Sequence, residues 1–333
     1  MRTKIFLLFL FLIIQIQTVV KGKAFEIKFA TIAVEGSTWM NVMNRLNDDI
    51  QKSTNNQLKF KIYSGGVFGD ELDVLRKMRF GQVHSAGFTG VGLGEILPEI
   101  RILELPFLFK NYDGVDYITE KFYDRFAKAF EKRDFVFLGW VEVGFVHIFT
   151  KTPIRTFKDI KKLNRMWVWE GDPLAEAVFS SFGLKPIQIP VLNVLTSLQT
   201  GLIDGVYTSP LGAISLQWFT RVKYMMSEPM TDATGAILIS KKLFDKIPED
   251  LQKILKDKCK SYMRELVVRS REDNEKSIEV LKDNGIEIVN TTEETIKKLE
   301  EIGVTVREKL TGKLYSKEFL DEILASLKEF RER

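Results

Sequence analysis

Cysteine occurs once in the chain, at Cys259, and histidine twice, at the widely separated His84 and His147. A single thiol excludes an internal disulfide, and no cysteine stands at the junction behind the N-terminal apolar run, where a lipid anchor would need one. With so few soft ligands none of the familiar zinc spacings can be written, which leaves only carboxylates to hold a metal. Phosphate-loop and nucleophile-elbow motifs are missing as well. "GVGLGE" at 90–95 lacks the strand, turn and helix context and the full glycine spacing of a dinucleotide site. His147 and Glu142 stand five residues apart. On one strand they would face opposite ways, a poor arrangement for an acid–base pair. The residue types give no positive sign of an enzyme.

Long apolar runs are scarce too. Ten unbroken apolar residues fill positions 5–14, after Arg2 and Lys4 and before Gln15 and Gln17. A bilayer span needs about 20. With the small residues of Gly22-Lys23-Ala24 behind it, this run reads as a secretory signal peptide over residues 1–24, with the mature protein starting near Phe25. The chain carries 49 Lys and Arg against 45 Asp and Glu. Four of those bases (Arg2, Lys4, Lys21 and Lys23) and no acid lie in the leader, so the remainder is balanced in charge. Nucleic acid and anionic membranes are therefore not expected partners.

What is present is 333 residues with 45% apolar content, enough for two lobes each with its own core. Period-2 and period-3.6 segments alternate, the mark of α/β architecture. "FEIKFATI" and "LKFKIY" read as strands. "SGGVFGD" reads as a glycine turn, where Gly65 and Gly66 serve the turn and Asp70 caps a helix. "FVFLGWVEV" and "RMWVW" are further strands, and Glu170 and Asp172 lead into a helix stopped by Gly183. From Pro248 to Gly285 no glycine or proline intervenes, which predicts one helix over about 248–284. At 1.5 Å per residue it would reach about 55 Å, longer than one lobe, so it should bridge both. The fold expected is an α/β two-lobed clamshell with a cleft and a long shared helix.

In "NRMWVWEGDP" (164–173), Arg165, Trp167 and Trp169 recur at every second position and would share one face of an extended strand. The order "SGGVFGDELDVLRKMRFGQVHSAG", "EIRILELPFLF", "DIKKLNRMWV", "FGLKPIQIPVLNVLTSLQTGLIDGV", "ISKKLFDKIPEDLQKIL" resembles the solute-binding proteins of tripartite ATP-independent periplasmic (TRAP) transporters, the DctP type. The resemblance runs from about Phe25 to the chain end. It implies a periplasmic receptor, not an enzyme and without a cofactor, that closes on a small solute and delivers it to a sodium-driven membrane permease. It also implies a monomer or homodimer. Its domains would be 25–144 plus 234–273 and 145–233 plus 274–333.

The family's ligand arginine lies in a "K-I-R-V-P" strand. Aligning Met166 and Val168 with its isoleucine and valine puts Trp167 in the arginine's place. Where the family reads "D-G-Q-E-N-P", this chain has "DGVYTSP", with Tyr207, Thr208 and Ser209 at or beside the ligand asparagine. The segment after "GW", which often supplies another arginine, holds Gly144, Phe145, Val146 and His147. By the family layout Trp39, Phe88, Trp140 and Trp218 also lie near the cleft. Indole faces suit an aromatic or apolar ligand, or a cation. A carboxylate receptor would need a replacement cation, for which Arg165 or Arg221 is the candidate, because leaving a buried charge unpaired costs about 3–5 kcal/mol. An exported α/β enzyme on the same scaffold is the alternative from another class.

Overall fold

A computed structural model of the chain describes residues 24–332, so the expected leader lies outside the described residues apart from Ala24. Among those residues no helix is long and apolar enough to cross a membrane.

Ten strands carry the fold of the described residues. β1 (Phe25–Ala30) lies between β2 (Leu58–Tyr63) and β3 (Ser85–Thr89), parallel to both. The period-2 pattern of β1 buries Ile27 and Phe29 under the helix Thr38–Ser53, whose Val42, Met43 and Leu46 face the same core. β4 (Phe135–Thr150) and β9 (Thr231–Ser240) run antiparallel to each other, and β9 also pairs with β3. β4 does not stop there. Its last residues, from His147 onward, pair with β7 (Gly205–Thr208) and β8 (Tyr224–Met226), and β8 carries β10 (Glu287–Val289) at its edge. β5 (Trp167–Trp169) and β6 (Ile187–Ile189) form a separate parallel pair. The result is a two-lobed α/β clamshell in which β4 leaves the first lobe and β9 returns to it.

The helix Glu249–Asp283 is continuous over 35 residues, as the absence of glycine and proline predicts. Its first half buries Leu251, Leu255, Cys259, Met263 and Leu266 against the first sheet; the lone thiol is thus core, with its pKa pushed up by burial. The buried residues of its second half include Ser270, Asn274 and Ser277. There the helix passes the crossing strands, and Asn274 donates to Val143 O and accepts from Leu211 N, both at 2.9 Å. The close approach explains Gly144, whose φ is +102° and whose added Cβ would lie 2.4 Å from Asn274 Nδ2.

Candidate functional site

Two adjoining cavities lie between the lobes. The inner one, about 170 Å³, is little larger than a cavity that holds benzene. Trp167, Trp169, Tyr207, Thr208 and Trp218 all line it. The outer one, about 340 Å³, is lined in part by Trp39, Phe88 and Ser209, and shares Ile32, Thr89 and Val143 with the inner one.

The inner wall begins at β5. Because strand residues alternate, Trp167 and Trp169 turn to one side, and Trp167 is 1% exposed. Its ring stacks on Tyr207 at 4.8 Å and 25° and meets Trp218 edge-on at 5.1 Å. Its Nε1 donates to Ile189 O at 2.9 Å on the paired strand β6, which fixes the indole by its polar edge and leaves the ring for apolar contact. Trp169 Nε1 donates instead across the lobes, to both carboxylate oxygens of Asp70 at 3.1 and 3.0 Å. Asp70 also accepts from Val191 N at 2.9 Å while capping its own helix, Glu71–Arg79. Burial raises its pKa. Nearby, Leu192 sits over Gly66, where a Cβ would come within 2.8 Å, so that glycine serves lobe contact as well as the turn.

The other expected residues separate. Arg165 stands in a bend before β5, outside the alternation, and its side chain is 53% exposed. Nε donates to Asp204 Oδ2 at 3.0 Å and Nη1 to Gly201 O at 2.8 Å, so surface acceptors hold it away from the cavity. Arg221, at the exposed end of the turn Trp218–Arg221, does not line the cavity. Trp140 faces the opposite side of β4, packed on Phe126 and Phe137 with Nε1 donating to Thr119 O. Phe145 lies against Tyr112 at 4.6 Å and lines neither cavity. Trp140 and Phe145, expected among the ligand contacts, thus line neither cavity. His147 is held by Met226 O, and Glu142 by Arg271, so they do not form a pair.

The sequence reading missed the charged part of the site. Arg101, 4% exposed, lines the inner cavity from the turn Pro98–Glu104. Its Nη2 donates to Asp172 Oδ1 and Oδ2 at 2.8 and 2.9 Å, and Nη1 pairs with Glu104 Oε2 at 2.9 Å. Asp172 follows β5 and caps the helix Pro173–Ser181 through Leu174 N and Ala175 N. One cation thus faces two carboxylates, one from each lobe. The "GVGLGE" segment makes this packing feasible: a Cβ at Gly90 would clash with Glu104, at Gly92 with Phe88 and Glu71, and at Gly94 with Arg101. Burial pushes Glu104 up to about 7, against the pull of Arg101. Glu71, bonded to Thr89 N and Gly92 N at 2.8 Å, is pushed by burial to about 8. Among the described residues no cluster of three or more metal-ligating side chains forms.

This cleft can enclose a small body between aromatic faces, next to an arginine whose charge is already compensated. Comparison with known proteins places such a cleft in context. Residues 29–313 match the model of the bacterial extracellular solute-binding proteins, family 7. The 2,3-diketo-L-gulonate-binding periplasmic protein YiaO of Escherichia coli is 25% identical over 251 residues, covering 74% of this chain and 75% of that one. The C4-dicarboxylate-binding periplasmic protein DctP of Rhodobacter capsulatus is 21% identical over 71% of each chain. The crystal structure of a sugar acid binding protein from Advenella mimigardefordensis in complex with galactonate superimposes with a TM-score of 0.86 at 20% identity, covering 92% of this chain and 99% of that one.

Proposed function

The chain belongs to family 7 of the bacterial extracellular solute-binding proteins, and from that premise we propose that it captures a small aromatic or apolar organic solute between its lobes. The observation that carries this reading is the inner cavity itself. Three indoles and a phenol wall it, and its arginine is already held by two carboxylates. In this reading Trp167 takes the place of the family's ligand arginine, and Trp169, Trp218, Tyr207 and Thr208 contact the solute. Trp39, Phe88 and Ser209 form the approach through the outer cavity.

Capture proceeds by hinge closure. Solute enters with the lobes apart, and β4, β9 and the long helix flex where they cross. Closing then brings Asp70 onto Trp169 and Val191 and brings Arg101 onto Asp172. The protein works in the periplasm after loss of its leader, as monomer or homodimer, and hands the closed state to a TRAP permease.

A second reading is a carboxylate receptor. It is favoured by relatives named for diketogulonate and C4-dicarboxylate binding, and its cation would be Arg101 rather than Arg165 or Arg221. Native mass spectrometry of the purified mature protein, followed by denaturation and identification of what it carried, separates the two. A co-purifying aromatic or apolar molecule supports the first. Tight, selective binding of a short dicarboxylate, lost in Arg101→Ala, would sink it.

A further inference from the structure

In a receptor that takes an acid, the ligand's carboxylate lies on a buried arginine, commonly through paired charge-assisted bonds. Here the protein supplies a carboxylate of its own to Arg101, while the buried Nε of that arginine has no hydrogen-bond partner. The Arg101 guanidinium directs Nη2 at both oxygens of Asp172, and Nη1 meets Glu104. All three side chains are almost wholly buried and line the inner cavity. We propose that Asp172 is a built-in anion: it fills the position of a ligand carboxylate on Arg101, so the closed cleft rejects acids and accepts uncharged molecules. This deepens the reading of the inner cavity as the solute site and rests on it.

Three features of the site support the assignment. First, Arg101 already faces the Asp172 carboxylate, with Glu104, whose pKa burial lifts to about 7, beside it, so an added carboxylate would have to share a paired cation in a low-dielectric space. Second, Asp172 cannot swing aside at no expense, because the same carboxylate accepts from Leu174 N and Ala175 N as helix cap. Third, Arg101 and Asp172 come from opposite lobes, so their bond ties the lobes together. A ligand acid would have to compete with closure itself. An uncharged ring leaves the bond intact and gains the faces of Trp167, Trp218 and Tyr207.

Benzyl alcohol and benzoate carry the same ring with zero and negative charge and match the size of the cavity, so they serve as probes. Titration is followed by the fluorescence of the cavity tryptophans. Wild type is expected to bind benzyl alcohol at least about tenfold more tightly than benzoate. Asp172→Asn keeps a helix cap, since Asn caps as well as Asp, but removes the charge. It should raise benzoate affinity about tenfold or more, and so narrow or reverse the preference for benzyl alcohol. Adding Glu104→Gln should raise benzoate affinity again.

Wild type preferring benzoate would overturn the proposal, and this comparison needs no variant to fold. An Asp172→Asn protein with wild-type melting but unchanged or weaker benzoate binding would overturn it too. If neither probe perturbs fluorescence and Trp167→Ala still retains the co-purified solute, the cavity reading itself fails and this proposal falls with it. Tight cavity binding with acids preferred removes only the built-in anion.

Discussion

Replacing Arg101 by methionine tests the charged heart of the cleft. Methionine fills similar space, so the main loss is the cation. Asp172 and Glu104 then stand buried, having lost bonds of 2.8–2.9 Å, while Asp172 retains its cap bonds and Glu104 the N–H groups of Thr234 and Gly90. Removing one partner of a buried ion pair costs about 3–5 kcal/mol. At about 2 °C per kcal/mol for a chain of this size, that is a fall in melting temperature of about 6–10 °C. The loss should also depend on pH. Without the guanidinium, whose pull opposes burial at Glu104, that carboxyl binds a proton more readily, and protonation removes its unpaired charge. The deficit of Arg101→Met is therefore expected to be smaller at pH 5 than at pH 8. The triple variant Arg101→Met, Asp172→Asn, Glu104→Gln should recover much of it at pH 8. Circular-dichroism melting of the three proteins at the two pH values checks this. A deficit below about 1 kcal/mol, or one equal at pH 5 and pH 8, would refute the view that Arg101 exists to neutralise these two acids.

Trp167→Ala should cost about 3–5 kcal/mol, since the indole is fully buried against Tyr207 and Trp218, and should abolish retention of the co-purified solute; urea titration and native mass spectrometry read the two effects, and a loss under about 1 kcal/mol would count against the packing described. The raised pKa values of Glu71, about 8, and Glu104, about 7, mean that the folded state holds protons the unfolded chain releases. Their contribution is complete below the ordinary carboxylate range and is lost as pH rises through about 8, by at most about 1.4 kcal/mol per pH unit for each group. Urea unfolding of wild type and Glu71→Gln between pH 5 and pH 8 checks the sign; a Gln variant as steep as wild type would contradict it. Asp70→Asn keeps the helix cap but sets an amide nitrogen against the donors Trp169 Nε1 and Val191 N, which costs about 1–3 kcal/mol of lobe contact. Solution scattering of the ligand-free protein should then give a larger radius of gyration, and an unchanged value would mean these bonds do not hold the lobes together.

The fold was legible where local physics and the global shape agree. Alternation in "FEIKFATI" and "LKFKIY" and the unbroken run after Pro248 depend on neighbours in sequence, and the strands and the long helix follow them. The aromatic side of the cleft was legible for the same reason, because two places on a strand fix one face for Trp167 and Trp169. The alternation ended one step earlier than the pattern implied: Arg165 lies in a bend, and Asp204 and Gly201 O hold it at the surface. No local rule could see those acceptors, 36 and 39 residues away. The ion cluster failed to register for a deeper reason. Arg101 and Glu104 stand three apart in an irregular turn that has no period, and Asp172 shows only its cap role until the lobes meet. One signal was nevertheless present. Three glycines at alternate positions in "GVGLGE" make no sense as a nucleotide loop and weaken a helix, so they asked what large groups pack there. Glu104, Glu71, Phe88 and Arg101 are the answer. Small residues in an otherwise well-patterned segment thus pointed to the charged site that the tryptophans overshadowed.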